Sequence, residues 1–324
     1  TTDLLLLAPV SISTGFSQGW FNIGEIQNSG FEFSGSYWYQ SKSGFGWNTK
    51  LNLTTIQSEI KALGNDGEPI YIDVNFDAIS TDEVILQVGG AINDLYGYRT
   101  DGVYLPGDFN ENGSPVEGVP TAGAGERAGD IRYVDLSGPD GIPDGVIDGF
   151  DRTVLGNTMP ELFGAWINSF SYKGLELDVI VQYSYGNKVF NATNTRIASF
   201  PGGGQNQSSS WLDRWTPENP SSTQYARVPS LRPADYLVED GSFIRLQTVR
   251  IGYNLPMKWI SQLSMKSAKV YLAANNLAVF TKYTGYDPEV TSNQVDFRYP
   301  FVQGFDYGGF PRAKTFIAGL NVQF

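Results

Sequence analysis

The densest set of potential ligands in this 324-residue sequence is an aspartate series, Asp135, Asp140, Asp144, Asp148 and Asp151, punctuated by Gly138, Gly141, Gly145 and Gly149. Calcium takes roughly six to eight oxygens, and carboxylates at alternate loop positions beside a tight glycine turn supply them. With Asp140 counted as position 1, Asp144 falls at 5, Gly145 at 6, Asp148 at 9 and Asp151 at 12, but position 3 is Ile142, which cannot ligate through its side chain. Asp135 and Ser137 would instead open a loop stretched by an insertion. The competing reading is a solvated series of acidic turns without metal. Either way the charge has an address: residues 101–151 hold eleven acids and two arginines, a local net of −9 within a chain total of −12.

Other chemistry is sparser. Trp211, Arg214 and Trp215 offer aromatic and guanidinium groups of the kind that anchor partners and sugars, or that pack a loop onto its own scaffold. Residues 201–205 contain three consecutive glycines but lack the Gly-Lys-Ser/Thr continuation of a phosphate cradle, so they read as a flexible loop. Histidine and cysteine are both absent. That excludes a Ser-His-Asp triad, a thiolate nucleophile, His- or Cys-ligated metals and disulfides. Acid–base work would fall to pairs such as Glu239 with Asp240 or Asp287 with Glu289, and nothing beside them would split their pKa values. The sequence reads as a non-enzyme. The balance of 34 acidic residues against 22 basic argues against nucleic acid and equally against docking on anionic lipid head groups.

These residues must be held by strands. Residues 31–40 put Phe31, Phe33, Gly35, Tyr37 and Tyr39 on one face and Glu32, Ser34, Ser36, Trp38 and Gln40 on the other. Residues 45–54 and 175–185 repeat the pattern, with Ile180 the one apolar residue on the polar face of the latter. Strand-like runs also cover 83–92, 162–172, 242–253, 269–278 and 315–324. No long 3.6-residue stripe occurs, so helix is expected only as short pieces in loops. The apolar run at residues 4–10 is far short of a membrane helix of roughly 20 residues, and with no initiator Met or basic leader the chain reads as a mature product or a fragment.

Runs of about ten residues suit an outer-membrane barrel, whose apolar face meets lipid and whose polar face lines the lumen. A soluble sandwich is built from shorter strands, and no 20–50-residue repeat supports a propeller. Short turns at 41–44 and 173–174 alternate with pattern-poor stretches of about 60 residues (101–160) and about 50 residues (187–240), as turns and loops on opposite sides of a membrane would. The expectation is an all-β, antiparallel transmembrane β-barrel with long extracellular loops. Phe324, the aromatic end of an alternating strand, resembles the assembly signal of bacterial outer-membrane barrels.

The sequence resembles the SusC/RagA-type TonB-dependent outer-membrane transporters. Segments that carry the resemblance, in order, are 22–33 (NIGEIQNSGFEF), 95–102 (LYGYRTDG), 129–135 (GDIRYVD) with 151–156 (DRTVLG), 214–220 (RWTPENP), 239–246 (EDGSFIRL) with 251–256 (IGYNLP), and 275–289 (NNLAVFTKYTGYDPE). The resemblance implies that residues 1–324 are the C-terminal part of a barrel of about 22 strands, with the N-terminal plug outside this chain. It further implies a SusD-like lipoprotein partner, TonB contact through the N-terminal region, outer-membrane lipid around the wall, and oligosaccharide or peptide substrates. Two other readings accompany it: a SusC-like barrel acting as a scaffold, and a soluble β-rich glycan-binding module. The acidic loop departs from the commoner form of its motif by an insertion around Gly138 to Asp140, so calcium ligation does not carry over directly.

Overall fold

The computed structural model describes residues 1–2, 4–9, 15, 18–64, 67–74, 82–198, 206–220, 224–226, 228, 231–290 and 301–324. The chain opens with β1 (Leu4–Pro9), β2 (Gln18–Gln40) and β3 (Phe45–Leu63). Six short strands follow: β4 (Ile70–Ile72), β5 (Val84–Leu86), β6 (Asp94–Tyr98), β7 (Thr100–Val103), β8 (Ile131–Tyr133) and β9 (Arg152–Asn157). Long strands return as β10 (Leu162–Tyr172) and β11 (Leu175–Tyr185), and β12 (Lys188–Asn191) and β13 (Val238–Asp240) interrupt them. The remainder is β14 (Phe243–Asn254), β15 (Ser267–Thr281), β16 (Phe305–Asp306) and β17 (Thr315–Gln323).

The long strands make one antiparallel wall in the order β1-β2-β3-β10-β11-β14-β15-β17, with β1 and β17 as its two edges. The alternating runs at 162–172 and 175–185 form strands with those same bounds, joined by Lys173 and Gly174 at φ 47° and 86°. Positive φ at both central residues matches the right-handed twist of a two-residue hairpin. Residues 83–92 depart from expectation. Only Val84–Leu86 is strand, and all three side chains are buried, so this run is an interior strand rather than a two-faced wall strand. The two helices, α1 (Thr193–Ile197) and α2 (Met257–Ile260), lie in connections between long strands, and no helix among the described residues is long and apolar enough to cross a membrane.

All three long connections, β3 to β10, β11 to β14 and β15 to β17, leave from one end of the wall. They fold into a layer with its own core. Small sheets β4-β5-β6-β9 and β13-β12-β16 pack Ile70, Ile72, Val84, Leu95, Phe190, Leu237 and Phe305 against Ile26, Ile60 and Leu63 at the loop-side ends of β2 and β3. Ile60 exchanges backbone hydrogen bonds with Gly89 and Gly90 (2.9 and 2.8 Å), which ties the layer to the wall. A second cluster, Tyr98, Ile131, Tyr133, Ile147 and Ala234, fastens the acidic region.

Among the ionisable groups sealed into this layer, Glu83 lacks a full set of partners. Glu83 is 0% exposed; its Oε2 accepts from the Val74 amide (2.8 Å), and its Oε1 has no hydrogen-bond partner among the described residues. Burial raises its pKa from the ordinary carboxylate range to about 8. An unfolded Glu ionises first, so stability should fall as pH rises from about 4.5 to about 8 and then level off. Glu83→Gln keeps an acceptor for Val74 and should flatten that slope, measured as urea midpoint against pH.

Candidate functional site: a two-faced wall beneath the loop layer

Cross-strand register sorts the wall into two surfaces. One row runs Phe33, Leu53, Gly164, Tyr183, Ile244 and Phe280, and the adjacent row on the opposite face runs Ser34, Asn52, Ala165, Gln182, Arg245 and Val279. The first face is apolar and bare: Phe33 is 59% exposed, Phe280 67% and Phe316 74%, with Ile251, Leu272 and Leu320 also exposed. A contiguous apolar surface of this extent marks contact with a partner or lipid. Nearer the short turns it becomes aromatic. Tyr37 meets Trp47 edge-on at 5.8 Å, Trp47 stacks on Phe170 at 6.3 Å, and Phe45 packs beside Phe170. The indole N–H groups are satisfied within the face: Trp47 donates to Asn168 Oδ1 (3.1 Å) and Trp166 to Thr49 Oγ1 (2.9 Å). Such an aromatic belt fits a membrane interface. Gly164 lets the Tyr183 ring cross it, and the Tyr183 hydroxyl donates to the Asn52 carbonyl (2.6 Å).

The opposite face is ionic along β11, β14 and β15. Glu176 pairs with Lys269 and accepts from Asn254 (2.7 Å), and Asp178 lies 3.8 Å from Arg250. At its loop-side end Arg245, 1% exposed, reaches Asp287 (2.6 Å) and Glu289 (2.9 Å). Glu289 also binds Arg312 and Gln182, both at 3.1 Å. Burial alone would raise the Asp287 pKa, but the bond from Arg245 and the Glu289 and Arg312 amides hold it below the usual carboxylate range. Sequence reading offered Asp287 and Glu289 as an unremarkable acid pair. Arg245, 42 residues from Asp287 in sequence, was not foreseen as the cation that joins them. A cavity of about 300 Å³ opens beside this network, lined by Gln182, Asn187, Gln303 and Arg312.

The aspartates of the acidic series do not converge. No group of three or more acidic side chains placed to hold a metal exists among the described residues. Asp140, Asp144 and Asp148 each accept from the amide two residues ahead, at Ile142 (3.2 Å), Val146 (2.9 Å) and Phe150 (2.8 Å). Asp135 Oδ2 accepts from Gly145 (2.6 Å). Asp151 is 0% exposed and accepts from Leu136 (2.7 Å), Ser137 (3.1 Å) and Asp148 (2.8 Å). As arranged, each of these carboxylates accepts from backbone amides. Calcium added to the intact protein should therefore leave its melting temperature unchanged, a shift of several degrees being the contrary result.

Arg214 packs on Trp211, while Trp215 clasps the loop elsewhere. Trp215 is 6% exposed and lies over Gly129, whose φ of +87° and missing Cβ make room; a Cβ there would sit 2.2 Å from the indole. The Trp215 ring thus packs within the layer. Trp211 meets Tyr225 edge-on at 6.2 Å and carries the Arg214 guanidinium 5.8 Å above its ring. Both remain half-buried. Residues 201–205 lie outside the described residues. Phe324 is exposed at the end of β17, and its main-chain oxygen accepts from Lys266 Nζ (2.8 Å).

No family model matches the chain. Over its whole length it is 31% identical to TonB-dependent receptor P3 of Formosa agariphila and 27% identical to TonB-dependent receptor SusC of Bacteroides thetaiotaomicron. The chain is similar to TonB-dependent receptors, SusC among them. It spans 31% and 29% of those two relatives, about a third of their length. The fold agrees: a chain of the RagAB peptide transporter superposes with a TM-score of 0.74 at 22% identity, covering all of this chain and 32% of that one. A "closed-closed" RagAB peptide importer matches likewise with a TM-score of 0.71.

Proposed function

We propose that this chain forms barrel wall and loop layer of an outer-membrane, TonB-dependent importer, passing oligosaccharides or peptides without converting them. The observation that carries this is the bare apolar face of an antiparallel wall whose other face is charged. In lipid, strands are viable only when every backbone group is paired and the outward face is apolar. The charged face then lines a lumen, and residues 1–324 supply the C-terminal part of the barrel, with plug and TonB contact elsewhere in the protein. The loop layer, at the end from which all long connections leave, would meet a SusD-like lipoprotein. The relatives named SusC and RagAB support this reading. Uptake of labelled oligosaccharides and peptides by energised cells should be lost on removing either the receptor or TonB, and the lipoprotein should co-purify with the receptor. Uptake that persists without TonB would contradict it.

A further inference from the structure

The cavity of about 300 Å³ beside the Arg245 network lies where the polar face of the wall meets the loop layer. The wall contributes Phe163, Gln182 and Phe243; the connections contribute Asn187, Gln303 and the pair Glu289 and Arg312. Among the described residues that pair supplies all the charge of the lining, and its members lie 3.1 Å apart, so the charges cancel. The lining therefore favours no ion of either sign. Three carboxamides remain, each a donor and an acceptor at once, as sugar hydroxyls are. Two of them are already oriented. Gln182 donates to Glu289 (3.1 Å) and Asn187 accepts from Ser184 (2.9 Å), which leaves each carboxamide a second polar atom. Phe163 is out of place on this face. Its cross-strand row reads Glu32, Thr54, Phe163, Ser184, Phe243 and Thr281, yet Phe163 is 38% exposed. Phe243 is 5% exposed and carries the Arg245 guanidinium 5.3 Å above its ring, so its ring is covered. The ring of Phe163 is left open.

An open aromatic ring beside fixed amides, with no net charge, matches an uncharged pyranose. The C–H face of such a sugar meets the negative face of an aromatic ring, and its hydroxyls need groups that both donate and accept. An extended peptide is bound most readily by an unpaired strand edge, and β10, β11 and β14 are each paired on both sides. We propose that this cavity is a subsite for one uncharged sugar ring of an oligosaccharide, stacked on Phe163 and held by Gln182, Asn187 and Gln303. Its volume, at the small end for ligand pockets, suits a single unit of a longer chain. The site rests on the importer reading above and chooses oligosaccharide over peptide within it.

Saturation-transfer NMR on the intact protein in detergent, with maltose, cellobiose, xylobiose and tetra-alanine as probes, tests it. At least one disaccharide should receive saturation, chiefly at its ring C–H protons, and tetra-alanine should receive none. Phe163→Ala, at an unchanged urea midpoint, should weaken disaccharide binding by roughly tenfold, and Phe163→Trp should retain it. Trp38→Ala removes another exposed aromatic of the same face, at the short-turn end, and should bind as wild type. The subsite is overturned if no disaccharide receives saturation from wild type, if Phe163→Ala binds as wild type, or if Trp38→Ala loses as much. Saturation of tetra-alanine that Phe163→Ala removes overturns the choice of sugar. All of these outcomes leave TonB-dependent uptake standing, whereas uptake without TonB overturns the importer reading itself.

Discussion

Arg245→Met should destabilise the protein by about 3–5 kcal/mol, the usual cost of stranding buried charge. Arg245 is 1% exposed, and its removal leaves Asp287, itself 6% exposed, without its closest cation. The Arg312 guanidinium lies 3.1 Å from the other acid, Glu289, and Arg312 serves Asp287 through its backbone amide, at 3.3 Å. The loss should appear as a lower urea midpoint of the full-length protein, and Asp287→Asn added to Arg245→Met should recover part of it. The pH dependence has a fixed sign. A carboxyl held low in the folded state stabilises above its unfolded pKa, and that contribution is lost as pH falls through the folded value. Wild type should therefore lose stability on acidification below the ordinary Asp range, where the variant shows no comparable loss. A variant within about 0.5 kcal/mol of wild type would place the network among neutral surface pairs.

The second large effect is expected at Asp151. Its two oxygens serve three backbone amides from inside the loop layer. Asp151→Asn turns one acceptor into a donor facing an N–H, and each buried donor left unpaired costs about 1–3 kcal/mol. Amide hydrogen exchange at Leu136, Ser137 and Asp148 should accelerate sharply. Asp140→Asn is the contrast: Asp140 is exposed and serves a single amide, so its loss should fall within about 0.5 kcal/mol. Equal effects at both positions would mean the series acts as a unit, as a metal loop would.

Much of the wall could be read from residue order because alternation is a local property. Residues 162–172 and 175–185 announce their faces unaided. The loop-side reaches of β2 and β3 could not be read this way, since Ile26, Ile60 and Leu63 are buried by segments distant in sequence. Val84–Leu86 misled for the same reason: an apolar triple looks alike in a wall and in a core. The site divides similarly. Aspartate spacing was visible, yet calcium-like spacing and amide-capping turns share it, and Asp140, Asp144 and Asp148 each took the amide two residues on, a habit of Asx turns. The Arg245 network and the Trp215–Gly129 contact join residues 42 and 86 positions apart, which no local pattern encodes.

The central claim is that one face of the wall meets lipid and the other an aqueous lumen. Residues 1–324 contain no cysteine, so with any cysteine elsewhere replaced by serine, single cysteines can be placed one at a time along β11 of the intact protein in lipid and spin-labelled. Collision with oxygen and with a water-soluble nickel complex then reports each surrounding. Positions 177, 179, 181 and 183 should favour oxygen and positions 176, 178, 180 and 182 should not, with 180 following its face despite being isoleucine. A profile without this two-residue period, or one with water reaching both sets equally, would contradict the account.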